Sequence, residues 1–256
     1  MSDLTGVNDL VVGFRAPPPI SKASVTGVAN LYSSLWLANA NAGAVPPTTG
    51  GACDNTTVGG IVLPTLLGGE DVYLQSLEAV AGNGGLLVLT DRAVAVSGLN
   101  GTLATAQTVT HAALPARFGN GENCELALEW YVTTGSTSVN VTVNYTDSDN
   151  VARVVTITGI GASVAASRIL LPLMIGRGVK SVQSVTLSAT TGTAGNFGVT
   201  IFKRVGSLPL LANLGQYKDF YALGNPKLTS NCLFFLVRCS TTSTGLIEGQ
   251  IGVAIK

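Results

Sequence analysis

Apolar and polar positions alternate with a period of two over long stretches of this chain. Leu126, Leu128, Trp130 and Val132 share one parity, with Glu125, Ala127, Glu129 and Tyr131 on the other; Val139, Val141, Val143 and Tyr145 alternate with Asn140, Thr142, Asn144 and Thr146. Successive strand residues point to opposite faces, so this alternation predicts half-buried strands. Three segments repeat one local theme. EWYVTTGSTSVNVTVNY (129–145), VTLSATTGTAGNFGVTIF (185–202) and FFLVRCSTTSTGLIEGQIGVAI (234–255) each pass from an apolar run through a Thr-Thr cluster into a second alternating run. Small polar residues between two period-2 runs predict β-hairpins. A further hairpin is predicted where Val72–Val80 leads through Gly82-Asn83-Gly84-Gly85 into Leu86–Asp91, the glycines supplying positive φ. Asp147-Ser148-Asp149-Asn150 predicts a turn into Val151–Thr158. The Thr-Thr segments are too unevenly spaced for a solenoid.

The N-terminal region departs from this pattern. Pro17-Pro18-Pro19 stiffens residues 1–20 into an extended arm, and Val28, Leu31, Tyr32, Leu35 and Trp36 recur at three- and four-residue spacing, which predicts a short amphipathic helix within Ser21–Leu37. The stretch NANAGAVPPTTGGACDNTTVGG (39–60) has no periodicity and reads as irregular. The expected fold is all-β, a β-sandwich or jelly roll with an extended N-terminal arm and one short helix. The arm and helix take residues 1–33 and the sandwich body 34–256, with 115–122 as the place where the body would divide in two.

Composition adds that the exterior is neutral. Charged residues make up 11% of the 256, 14 basic against 14 acidic, where about 25% is usual for soluble domains. A surface so poor in charge favours association, which points to a subunit of an assembly. The charge balance removes the footprint of a nucleic-acid binder. No secretory leader is expected from the acidic start, and no apolar run reaches the ~20 residues that cross a bilayer, so neither nucleic acid nor membrane is an expected partner.

Candidate chemistry is sparse. Cys53, Cys124, Cys232 and Cys239 form no C-x-x-C pair and read as buried thiols rather than a zinc ribbon or disulfide framework. The sequons at Asn55, Asn100, Asn140 and Asn144 read as chance in an Asn- and Thr-rich chain. His111 is the single histidine and no G-x-S-x-G elbow accompanies it. Asp147–Asn150 resembles the start of a calcium loop but lacks the later glycine and glutamate, which favours a plain turn. The glycine-containing segments at 82–85 and 176–181 match no phosphate-loop spacing and read as turns. Glu125 and Glu129 share a strand face, yet four residues at ~3.3 Å rise separate them by about 13 Å, wider than a glycosidase pair. Trp130 reads as core; Trp36 is a candidate stacking platform. No cofactor or metal is expected. Phe14, Arg15, Pro17, Pro18 and Pro19 are the candidates for gripping a partner, since an extended segment outside the core orders on contact; the alternative is an unstructured terminus.

Four blocks carry a resemblance: SLWLANANAGAVPPTT (34–49), LLVLTDRAVAVSGLNGTLATAQTV (86–109), ELALEWYVTTGSTSVNVTVNYTDSDNVAR (125–153) and SVQSVTLSATTGTAGNFGVTI (181–201). The chain resembles a family of virion structural proteins encoded in the head and tail modules of tailed bacteriophages. The similarity covers most of the chain from Ser34 onward and lies in Thr/Ala/Gly-rich strand sequence rather than in a chemical motif. It implies a non-enzymatic virion component: a head decoration or cement protein, a β-sandwich homotrimer on the capsid surface whose partner is the major capsid protein, assembled in the host cytoplasm. The alternative is a tail or baseplate adhesin that stacks a host glycan on Trp36 and exposed tyrosines. An enzyme using Glu125 and Glu129 is the third reading.

Overall fold

The computed structural model describes residues 19–38, 42–54, 57–61, 63, 70–160, 168–170, 177–224, 226–228 and 233–255. Six antiparallel strands close into a central barrel: β2 (Tyr32–Ser34), β5 (Gly85–Leu99), β8 (Cys124–Val132), β11 (Arg168–Leu170), β13 (Asn196–Leu210) and β16 (Leu233–Cys239), in the order β11-β2-β16-β5-β13-β8. A five-stranded sheet holds β1 (Pro19–Lys22), β17 (Ile247–Ile255), β4 (Val72–Ala81) and β14 (Gln216–Lys218) in that order, with β15 (Lys227–Leu228) also on β4. A four-stranded sheet has the order β10 (Ala152–Ile160), β9 (Val139–Asp147), β12 (Val179–Leu187), β6 (Gln107–Thr108). The short parallel pair β3 (Thr49–Gly50) and β7 (Thr110–His111) completes the set.

Two 15-residue strands, β5 and β13, organise the packing. They pair from Phe197 opposite Leu99 to Leu210 opposite Gly85. One end of this ribbon presents Leu87, Leu89, Leu208 and Leu210, together with Phe235 and Val237 of β16, to Leu74, Leu77, Ile251 and Val253 of the five-stranded sheet. The other end presents Val94, Val96, Phe197 and Ile201, with Leu128 and Trp130 of β8, to Val141, Val143, Tyr145, Val182 and Val185 of the four-stranded sheet. A third core fills the barrel itself, where Trp36, Val88, Ala95, Ala127, Phe202, Phe234 and Leu236 meet. The ladder shifts register at Ile201/Phe202 and at Arg204/Gly206, and each such irregularity re-aims the side chains beyond it. The all-β expectation of face-packed sheets holds.

Three local expectations need correction. The Thr-Thr clusters do not close hairpins: β8 pairs with β11 and β13 while β9 pairs with β10 and β12, β12 pairs with β9 and β6 while β13 pairs with β5 and β8, and β16 pairs with β2 and β5 while β17 pairs with β1 and β4. Each cluster is an arch that carries the chain from one layer to the next. The arches interlock. Thr191 is buried and its Oγ1 accepts from Gly135 N at 3.0 Å, while Thr137 N donates to Thr191 O at 3.1 Å and Thr191 N to Gly101 O at 2.8 Å. The third arch repeats the device: buried Thr244 accepts from Val25 N through Oγ1 at 2.9 Å and donates its own N–H to Val25 O at 3.0 Å.

The glycine-rich link at 82–85 is likewise a crossover between β4 and β5, which are not paired, and neither Gly82, Gly84 nor Gly85 takes a positive φ. Close approach explains Gly245 rather than Gly82: a Cβ on Gly245 would lie 2.9 Å from Gly82 Cα, whereas one on Gly82 would meet Gly245 Cα at an ordinary 3.4 Å. Residues 21–37 contain no helix; they form the end of β1, a turn and β2, and the described residues place helix instead in a 3-10 turn at Ala116–Phe118 and in α1 (Phe220–Leu223), capped by Asp219 Oδ1 accepting from Ala222 N at 3.0 Å. The 3.6-like spacing of Val28 to Trp36 comes from a bent segment whose Leu35 and Trp36 enter two different cores.

The turn at 147–150 is a true hairpin between β9 and β10. Asp147 N donates to Val151 O at 3.0 Å, and Asn150 takes φ 62°, the left-handed conformation that asparagine tolerates.

Candidate functional site

The barrel interior holds an ionic cluster. Arg92 from β5 projects inward because its strand neighbours already satisfy the outer cores, and its Nη2 donates to Glu129 Oε2 of β8 and to Thr200 Oγ1 of β13, the latter at 3.3 Å. Thr200 Oγ1 and Tyr131 Oη each donate to the same Glu129 oxygen, at 2.7 and 3.0 Å. The guanidinium lies 4.1 Å from the ring centre of Trp36 and 4.8 Å from that of Phe234. Burying this pair costs desolvation energy that the short charge-assisted bonds and the two ring faces offset. Burial, with the Glu129 charge beside it, pushes the Tyr131 phenol well above its ordinary range. Next to this cluster Arg117 forks onto Asp91 at 3.2 Å to both oxygens and donates to the carbonyls of Cys53 and Arg92 at 2.7 and 2.9 Å. These bonds tie β5, β8 and β13 together, and Arg92 also lines a 290 Å³ hollow beside Trp36.

The outward face of the four-stranded sheet is of a different kind. Register places Thr156, Thr142 and Thr186 in one rank across β10, β9 and β12; Val154, Asn144, Ser184 and Thr108 in the next; and Ala152, Thr146 and Ser181 in a third. Thr142 and Thr156 hydroxyls are 3.2 Å apart, Asn144 Nδ2 donates to Ser184 Oγ at 3.0 Å, and Gln183 Nε2 donates to Thr146 and Ser181 at 3.1 and 2.8 Å. These three ranks contain no charged side chain. Such a face is flat and hydroxyl- and amide-bearing, and it is cheaper to dehydrate than a charged one.

The residues singled out in the sequence divide as follows. Phe14, Arg15, Pro17 and Pro18 lie outside the described residues; Pro19 begins β1, exposed, opposite Gln250, at an edge where its missing N–H costs nothing, and Ile20 beside it is already in the core. Trp130 is fully buried against Phe197, rings stacked at 5.4 Å, as expected for a core residue. Trp36 is 2% exposed, its Nε1 donates to Ala44 O at 2.9 Å, and it forms one wall of a 290 Å³ hollow, so it is no open stacking platform. Tyr217 and Tyr221 are exposed instead.

Glu125 and Glu129 are not a catalytic pair. Glu129 is inside the barrel, and Glu125 sits at the rim gripped by Arg204 through bonds of 2.6 and 2.9 Å. Nor is β8 half-buried: both of its faces are covered from Leu126 to Tyr131, one by the barrel interior and the other by the four-stranded sheet, and Val132 is exposed. His111 accepts from Val182 N through Nε2 at 3.1 Å and reaches Ala112 O with Nδ1 at 2.6 Å, which makes Nδ1 the protonated nitrogen and commits both to backbone.

Asp147 is saturated: Oδ1 accepts from Asp149 N and Val151 N, both at 2.9 Å, and Oδ2 from Arg153 Nε at 2.7 Å. These backbone and arginine bonds hold its carboxyl below the usual range. The 147–150 segment is therefore a turn and not a cation loop, and among the described residues no group of three His, Cys, Asp or Glu is placed to hold a metal. Cys53 and Cys124 are buried, and burial pushes the Cys124 thiol up to about 12; Cys232 lies outside the described residues. No helix among the described residues is long and apolar enough to cross a membrane.

The ionic cluster was missed in the sequence although a signal was present. Asp91-Arg92 interrupts LLVLTDRAVAVSGL, and charges in the middle of an apolar run mark a strand covered on both faces.

No family model matches the chain, and no curated protein matches it. Among solved structures it is similar to that of the infectious bursal disease virus Gt strain, at 11% identity over 95% of this chain and 82% of that one, TM-score 0.22. The VP2 subviral particle of infectious bursal disease virus follows, at 9% identity over 99% and 86%, TM-score 0.21. A family 11 carbohydrate-binding module of a Clostridium thermocellum cellulosomal cellulase matches at 10% identity over 62% and 95%, TM-score 0.21. Superpositions this loose carry no argument about function.

Proposed function

We propose that this chain is a non-enzymatic structural protein of a virion, a head decoration protein that seats on a lattice of major capsid protein and stabilises it. The observation that carries the reading is the set of uncharged ranks on the outward face of the four-stranded sheet, carried on a body whose buried ion pairs include Arg92–Glu129, Arg117–Asp91 and Arg153–Asp147. Hydroxyl and amide groups exchange water for protein partners at little net gain each. A face of this kind therefore binds weakly as one copy and firmly as many, which is how a lattice multiplies modest contacts. The strand sequences that resemble tailed-bacteriophage virion proteins support the same reading. The segment before β1, with Phe14, Arg15, Pro17 and Pro18, together with Pro19, supplies the second contact with the shell in this reading.

Immunogold labelling of intact particles with antibody to this chain tests the proposal. Dense label over heads is the expected result; label confined to tails, or absent from particles, overturns it and leaves the glycan-binding reading. Deleting residues 1–18 should abolish particle binding and leave the fold intact, the cut stopping before the core residue Ile20.

A further inference from the structure

The open edges of the sheets are not alike. An unpaired edge exposes a row of N–H and C=O groups that will template another strand, and proteins blunt such edges with short strands, lysine, proline or inward charges. β1 is four residues long and carries Pro19 and Lys22; β14 is three residues and ends in Lys218; β6 is two residues. β10 is nine residues, pairs with β9 alone among the described residues, keeps continuous register with it from Ala152 to Ile157 before a bulge ahead of Ile160, and has no lysine or proline. Its one charge, Arg153, is already neutralised by Asp147 of β9. Val154 is 56% exposed, and Thr156 and Thr158 are exposed on the same parity.

We propose that β10 is the surface by which two copies of this chain join, edge to edge and antiparallel across a two-fold axis at Thr156, merging two four-stranded sheets into one of eight. The strand is self-complementary in this register. Thr156 meets its own copy at the axis. Val154 lies opposite Thr158 of the partner subunit on the outward face, and Val155 opposite Ile157 of the partner subunit on the core face, so parity is preserved and the apolar layer continues across the joint. Arg153 falls opposite Gly159 of the partner subunit. That glycine has φ 70° and no side chain, and among the described residues only Ser138 Oγ comes within 4 Å of its Cβ direction, which leaves room for the arginine stem. A two-fold contact of this kind is closed, which yields a dimer and not a fibre. The inference stands independently of the virion reading: it concerns the isolated chain, whereas the decoration role is tested on particles.

The full chain is measured by sedimentation velocity over a concentration series, beside Thr156→Lys, Thr156→Glu and their equimolar mixture, with circular dichroism of each. A wild-type dimer is expected. Either substitution alone, placing like charges against each other at the axis, weakens it by about 100-fold, and the mixture restores a dimer. Val154→Lys, at a second exposed position, replaces Thr156→Lys should the latter lose its β signal. A monomeric wild type, or an oligomer of any size that these substitutions leave unchanged, overturns the proposal.

Discussion

Arg92 and Glu129 meet inside the barrel with no solvent between them and the rings of Trp36 and Phe234 covering the guanidinium. Removing one partner leaves the other charge buried and unmatched. Glu129→Gln should therefore cost about 3–5 kcal/mol in denaturant unfolding, while the apolar double replacement Arg92→Met/Glu129→Leu should cost clearly less. Equal losses in the two variants would show that the pair contributes only packing.

The interlocked arches make a second claim. A Cβ on Gly135 would stand 1.9 Å from Thr191 O, so Gly135→Ala must push the 133–138 and 188–195 segments apart. Overpacking of this kind costs about 1–3 kcal/mol. Thermal unfolding checks it, and a variant as stable as the parent would mean that the arches do not bear on each other.

Lys22 gives a pH signature. Burial pushes its ammonium down from 10.5 to about 8, whereas the unfolded chain keeps the ordinary value. Between those two values the unfolded state binds more protons, so this group's contribution to stability rises with pH across that window and is flat below it. Cys124 acts in the opposite sense above the ordinary thiol value, because its thiol stays neutral in the fold. Comparing wild type with Lys22→Met cancels that effect. The difference in midpoint should move in favour of the wild type from about pH 7 to about pH 9.5, and a constant difference would remove the claim.

Asp147 has the reverse dependence. Its carboxyl is held low by Val151 N–H and Arg153, so its stabilisation is present above the ordinary carboxylate value and is lost as pH falls through the folded one. Asp147→Asn should be less stable than wild type at neutral pH, with the gap closing in acid. Urea titrations at a series of pH values read this directly, and a gap that stays open in strong acid would contradict it.

The strands themselves were legible in the sequence, because period-2 alternation is a local property; β9 keeps its predicted inward Val139, Val141, Val143 and Tyr145. The joining of strands was not. A Thr-Thr-Gly cluster states that the chain reverses, and Thr133–Gly135 reverses it as well into another sheet as into a neighbour in the same one. The choice belongs to residues far away, such as Thr191 and Gly101. The same blindness hid the burial of both faces of β8, since nothing near Glu129 announces Arg92 from 37 positions earlier. Trp36 misled for a related reason: it follows a bend, and spacing alone cannot separate a bent strand entry from a helical turn. The uncharged outer face, by contrast, was written plainly in Asn140, Thr142, Asn144 and Thr146.

β5 and β13 pass beneath both outer sheets, so neither half of the molecule owns them. Their twelve paired positions lie side by side along a single ribbon. Tension applied along that ribbon is shared by all the rungs at once, as in a lap joint, and none can peel before the rest. Shear between the two strands is therefore borne by the cores on both sides of the ribbon together.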